Sequence, residues 1–207
     1  MTKLPRRTTL FASALLSALI LATCSRDPEG NSSGKTPQPT AQSAVVPAIA
    51  SPLSRAAARG DLAEIRTLLE NGAEIDARDA LGRTPLHMAA FYGRTKASEL
   101  LLDSGAAIDA RDGIGMTPLH AAVLSGGRKE VELLVERKAD VNARTETGQT
   151  PLHLAAATGQ PRVSRVLVEH GADPGSKDKE GQTPLFYASR NKHPVTSEYL
   201  QQLAARP

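Results

Sequence analysis

The sequence predicts an all-α solenoid of about five short helix pairs joined by β-hairpin-like loops. Three observations carry that expectation. Thr84-Pro85-Leu86-His87 returns as Thr117-Pro118-Leu119-His120, as Thr150-Pro151-Leu152-His153 and, with Phe in place of His, as Thr183-Pro184-Leu185-Phe186, at an interval of 33 residues each time. Glycines keep the same step, Gly82, Gly115, Gly148 and Gly181 ahead of the tetrapeptide and Gly60, Gly93, Gly126 and Gly159 after it. Apolar pairs recur in the second half of each unit: Leu68-Leu69, Leu101-Leu102, Leu134-Val135 and Leu167-Val168.

Taken in order, the 207 residues begin with an address. Lys3, Arg6 and Arg7 precede Leu10 to Ala22, thirteen residues without a charge. Spanning a bilayer takes about 20 apolar residues, so this run is too short to cross and suits the apolar centre of a secretory signal. The twin arginine is an ordinary basic start, because Pro5 and Thr9 depart from the twin-arginine export pattern. Leu21-Ala22-Thr23-Cys24 resembles the lipobox of bacterial lipoproteins, with Thr23 where that signal favours Gly, Ala or Ser. The resemblance implies that residues 1–23 are a signal peptide and that Cys24, the single cysteine, is the lipidated residue. With Ser25 rather than Asp next, it also implies a periplasmic protein held at the outer membrane. The alternative is an exported soluble protein in which Cys24 has no role.

Residues 24–50 follow as a tether. They hold no aromatic side chain and are dense in Pro, Gly, Ser and Thr. Such a stretch buries too little apolar area to offset its ordering entropy and is expected to be disordered. Its reach is about 30 Å.

Residues 51–207 are the array. Thr at an N-cap followed by Pro at the first helical position starts a helix, because the hydroxyl accepts an orphan N–H and Pro lacks one. Gly93 and its counterparts then suit a left-handed cap after about two turns. A second helix follows, for example Lys96 to Ser104, with Ala97, Leu100 and Leu101 on one face and Gly72, Gly105 and Gly171 ending the equivalents. Ala106 to Gly113 turns back as a hairpin-like loop. Lys138 stands where the helix-ending Gly is expected, at a cost of about 1 kcal/mol. Helices this short cannot bury their apolar face alone, so neighbours must stack. The ends differ: Ser51-Pro52-Leu53-Ser54 opens the first unit, and Gln201, Gln202 and Arg206 close the last with polar side chains. This pattern resembles the ankyrin repeat, with units at about 46–78, 79–111, 112–144, 145–177 and 178–207.

Charge narrows the function. Lys plus Arg number 25 against 22 acidic residues, but three of the basic ones precede the apolar run, and the remainder is neutral. That excludes a polybasic nucleic-acid or membrane-surface protein. The aromatic fraction of 3%, with no Trp, argues against base stacking. One cysteine excludes an intramolecular disulfide or a cysteine zinc cluster.

No catalytic motif is present, and neither a cofactor nor a metal is expected. His87, His120 and His153 sit on successive stacked helices about 8–10 Å apart, too far to share one metal. Ankyrin resemblance implies that each bonds near its own Thr and the adjoining loop. His170 and His193 receive no role. Arg78, Arg111, Arg144 and Lys177 form a column with Asp79, Asp112 and Asp178 directly after three of them. It reads either as a solvated charge ladder or as a grip on an acidic partner.

Partner binding is expected where the copies disagree, since framework positions repeat because the stack needs them. The resemblance places these positions on a concave groove. They are Leu81 and Arg83, then Ile114 and Met116, at the loop tips, and Phe91, Tyr92 and Leu124 before the helix-ending glycines, with Arg111 and Arg144 beside them. Apolar and aromatic residues on an exposed groove mark an interface centre. The resulting expectation is a monomeric, non-catalytic protein-binding module of the periplasm. It would act like an immunity protein that occludes a toxic enzyme, or like the periplasmic ankyrin proteins that support a catalase in oxidative-stress defence. A hydrolase with an unrecognised site is the remaining class.

Overall fold

The computed structural model describes residues 50–204, which hold ten helices and no strand. The helices are α1 (Pro52–Arg59), α2 (Leu62–Glu70), α3 (Pro85–Phe91), α4 (Thr95–Asp103), α5 (Pro118–Ser125), α6 (Arg128–Glu136), α7 (Pro151–Ala157), α8 (Pro161–Glu169), α9 (Pro184–Arg190) and α10 (Pro194–Ala204). They form five consecutive pairs, as the 33-residue period requires. The signal peptide, Cys24 and nearly all of the proposed tether lie outside the described residues. No helix among the described residues is long and apolar enough to cross a membrane.

Each first helix starts as the sequence dictates. Ser51, Thr84, Thr117, Thr150 and Thr183 are the N-caps, and the prolines after them occupy the first helical position. The second helix of the second pair runs one residue earlier than expected, over Thr95–Asp103. First helices pack on first helices and second on second, so each pair lends one layer to a continuous core. Leu86, Leu119 and Leu152 from the tetrapeptides, and Leu101, Leu134 and Leu167 from the second helices, are fully buried. Each contributes about 1.5–3 kcal/mol relative to exposure. Leu68, the counterpart of Leu101 in the first pair, is only half-buried because no earlier pair covers it.

The loops are hairpin-like without reaching strand geometry. Asp79 N–H donates to the Arg83 carbonyl at 3.0 Å, and Asp112, Thr145 and Asp178 repeat the bond to Met116, Gln149 and Gln182. One bond also joins each loop to the next: Gly113 N–H to the Leu81 carbonyl (2.8 Å), Glu146 N–H to Ile114 (2.9 Å) and Lys179 N–H to Thr147 (3.0 Å). The loops therefore stack in step with the helices.

Two positions break the glycine pattern. Lys138 has φ 70°, and Lys192, in the position of Gly60, Gly93, Gly126 and Gly159, has φ 60°. A left-handed backbone costs an L-residue about 1–2 kcal/mol, partly offset by the greater unfolded-state freedom of the glycine that would relieve it. Lys138→Gly is accordingly expected to raise stability by about 1 kcal/mol, seen as a higher urea midpoint at unchanged slope.

Candidate partner-binding surface

The surface begins at the loop tips. Asp79 turns its loop with one carboxylate oxygen, which accepts the N–H of Leu81 and of Arg83, both at 2.9 Å. The Arg83 guanidinium closes the other oxygen at 2.7 Å. Burial alone would raise the Asp79 pKa, but these bonds overcome it and hold the carboxyl below its ordinary value. Asp112 and Asp178 make the same turns, to Ile114 and Met116 and to Glu180 and Gln182. Thr145 substitutes in part, its hydroxyl accepting Gln149 N–H at 3.2 Å. So anchored, the tips hold Leu81 at 61% and Ile114 at 58% exposure on adjacent loops.

From there the surface runs along the first helices, about 10 Å for seven residues, to their C-terminal ends. Phe91 and Tyr92 meet edge to face, ring centroids 5.3 Å apart. Tyr92 is half-buried. Phe91, Met116 and Leu124 are partly buried against the core, so they brace the surface as well as forming it. Arg83 is partly buried in its pair with Asp79.

The basic column has internal work. The Arg78 guanidinium donates to the carbonyls of Gly82 and Arg111, that of Arg111 to the carbonyl of Arg144, and that of Arg144 to the carbonyls of Gly148 and Lys177. These side chains stitch each loop to its neighbour by satisfying carbonyls that no strand ladder takes up. Arg111 and Arg144 remain exposed while doing so.

The histidine ladder is structural, as the resemblance implied. Thr84 N–H donates to His87 Nδ1 at 3.1 Å, which leaves the proton on Nε2 to donate to the Met116 carbonyl at 3.0 Å. His120 and His153 bridge likewise to the carbonyls of Gln149 and Gln182. Burial lowers the pKa of all three, that of His120 to about 4. Phe186, at the same position in the last pair, has no following loop to meet and is 40% exposed. His193, assigned no role on sequence grounds, bridges to the Ala157 carbonyl. Its place 33 residues after Gln160 and 99 after Arg94 was the available signal. Tyr187 donates to Asp178 at 2.6 Å, and burial together with that carboxylate pushes its pKa up to about 12.

Among the described residues no group of three or more His, Cys, Asp or Glu is placed to hold a metal ion. The fold and its apolar surface are those of a stacked-repeat scaffold. The chain belongs to the ankyrin-repeat family: a model of three ankyrin repeats matches residues 53–145 and again 131–207. The family is typically non-catalytic and suggests a protein–protein interaction module. No curated protein matches the sequence.

Proposed function

We propose that the protein binds a partner protein through the surface running from Leu81 and Ile114 to Phe91, Tyr92, Met116 and Leu124, with Arg83, Arg111 and Arg144 at its rim. The observation that carries this reading is the exposure of Leu81 and Ile114 side by side on stacked loop tips. The equivalent positions on the next two loops are Thr147 and Glu180, so the stack itself does not require apolar residues there. Exposed aliphatic side chains with an aromatic pair beyond them have the composition of an interface centre.

The setting we propose is the periplasm. Residues 1–23 would direct export, Cys24 would carry the lipid, and the tether would hold the array clear of the outer membrane. There the module acts by occlusion, as an inhibitor or immunity protein of an enzyme entering that compartment. These readings rest on the sequence of the N-terminal segment.

The test is capture of cross-linked partners from the native cells by the full chain, beside the Phe91→Ala/Tyr92→Ala double variant. One dominant protein held by the wild type is expected, with the double variant losing about 2 kcal/mol or more of affinity, roughly thirtyfold. Equal capture by a folded double variant would sink the surface. Capture of a periplasmic enzyme whose activity the chain suppresses would support occlusion, and an unaffected enzyme would oppose it.

A further inference from the structure

At three of the four junctions between successive pairs, a side chain from the later pair reaches back to a carbonyl at the end of the earlier first helix. Arg94 Nε donates to the Ala58 carbonyl at 3.0 Å, and Gln160 Nε2 donates to that of Val123 at 2.8 Å. His193 Nε2 reaches the Ala157 carbonyl at 3.1 Å, with Asn191 Nδ2 on the same oxygen at 2.7 Å. Arg94, Gln160 and His193 belong to one 33-residue register, in which Asp61 opens the first pair and Gly127 stands at the remaining junction. Gly127 has no side chain to offer. Among the described residues no side chain reaches the carbonyl of Phe91, the counterpart of Ala58 and Ala157.

Next to this gap is a buried carboxyl that no cation meets. Glu130 is 1% exposed, and neither of its carboxylate oxygens has a hydrogen-bond partner. The hydroxyls of Ser98 and Thr95 on α4 lie beside it, Ser98 equally buried, within interaction range but not at hydrogen-bond geometry. The counterparts of Glu130 in the flanking pairs are Ala97 and Val163, so the stack does not call for an acid there. The geometry connects the two features: a Cβ at Gly127 would lie 3.4 Å from the Glu130 Cβ and 3.3 Å from Ser125 Oγ, in ordinary or slightly tight contact. Burial, with Glu99 nearby, pushes the Glu130 carboxyl up. An unpaired buried carboxylate is costly until a proton or a cation meets it.

We propose that the notch at Gly127 receives an arginine side chain of the bound protein, which donates to the Phe91 carbonyl and offsets the charge of Glu130. The chain itself supplies the precedent, since Arg94 makes the equivalent contact one pair earlier. The carbonyl end of α3 carries the negative end of the helix dipole, which favours a cation further. The acceptor carbonyl is that of Phe91, and Tyr92 is the next residue, so the arginine anchor and the apolar surface share residues. The inference rests on the interaction-module reading, but its test does not need the partner.

The full chain, labelled with nitrogen-15, is titrated with N-acetyl-arginine amide and in parallel with N-acetyl-citrulline amide, its neutral isostere. Amide shifts centred on Phe91, Gly127 and Glu130 are expected, saturating at millimolar arginine amide and about tenfold weaker with the citrulline compound. Glu130→Gln should bring the arginine compound down to the citrulline level. Gly127→Arg fills the notch from within and should abolish the titration while raising the melting temperature. Shifts that are absent, spread over the whole surface, equal for the two compounds or indifferent to Glu130→Gln would overturn the site. A null result for the Phe91/Tyr92 variant in partner capture leaves this titration untouched, so the two ideas fail separately.

Discussion

Lowering the pH from 7 to 4 is expected to destabilise the solenoid by several kcal/mol, with His120 the largest single contributor. In the unfolded chain His120 titrates near its ordinary 6.5, whereas in the fold burial lowers it to about 4. Between those values the unfolded state binds the proton that the folded state refuses, so stability falls as pH drops. The loss is complete near pH 4 and amounts to about 3 kcal/mol. His87 and His153 shift in the same direction, and their losses also begin below about 6.5. The physical event is the same at each site: protonating Nδ1 removes the acceptor for the Thr N–H. Glu130 acts oppositely, because its raised pKa makes the folded state take up a proton first and gain stability on acidification. Asp79 and Asp178 are lowered, so their contribution disappears only below about pH 3.8. Urea midpoints from pH 7 to pH 4 would show the slope, and proton NMR titration of the His120 ring would assign it. A flat stability profile across that interval, or a His120 ring titrating near 6.5, would contradict the buried neutral ladder.

What made this ladder readable in advance is that Thr, Pro and His act on atoms close by in sequence. A cap needs only its own helix start, and a period of 33 carries the placement of every copy. The loop column was harder. Arg78, Arg111 and Arg144 next to Asp79 and Asp112 suggested either an open ladder or a grip on a partner, because spacing alone does not reveal where a guanidinium points. In the fold, loops too short to form strands leave carbonyls free, and the arginines turn to them. Asp79, Asp112 and Asp178 likewise hold their own loops. The division within the apolar set was also beyond the sequence. Leu81 and Ile114 stand out from tips, while Phe91, Met116 and Leu124 lean on the core, and this difference depends on how far each loop overhangs its helix. Gly127 and Glu130 left the faintest trace. Their meaning lies in what Arg94, Gln160 and His193 do at the same register, which only the contacts of those three side chains disclose.

The inter-loop bonds give the second large effect, and a matched pair of glycines isolates it. Gly72→Ala and Gly148→Ala both place a Cβ on a left-handed backbone, at φ 81° and 82°. At Gly72 that Cβ meets nothing within 4 Å, so the cost is backbone strain alone, about 1 kcal/mol. At Gly148 it would stand 2.9 Å from the Lys179 amide nitrogen and 3.3 Å from the Asp178 carbonyl carbon. Both are main-chain atoms of the next loop, which cannot swing aside as a side chain would. Relief requires the third and fourth loops to part, and with them goes the Lys179 N–H to Thr147 bond. Strain, clash and lost hydrogen bond together should cost Gly148→Ala about 3 kcal/mol. The loss falls on one junction. In a linear array stability is a sum of units and nearest-neighbour interfaces, so weakening a single interface uncouples what lies beyond it. Amide exchange should therefore quicken across α9 and α10 while α3 to α6 keep their protection. Equal losses for the two variants would mean that the loops are not in the contact described, and uniform loss of protection would mean that the five pairs unfold as one.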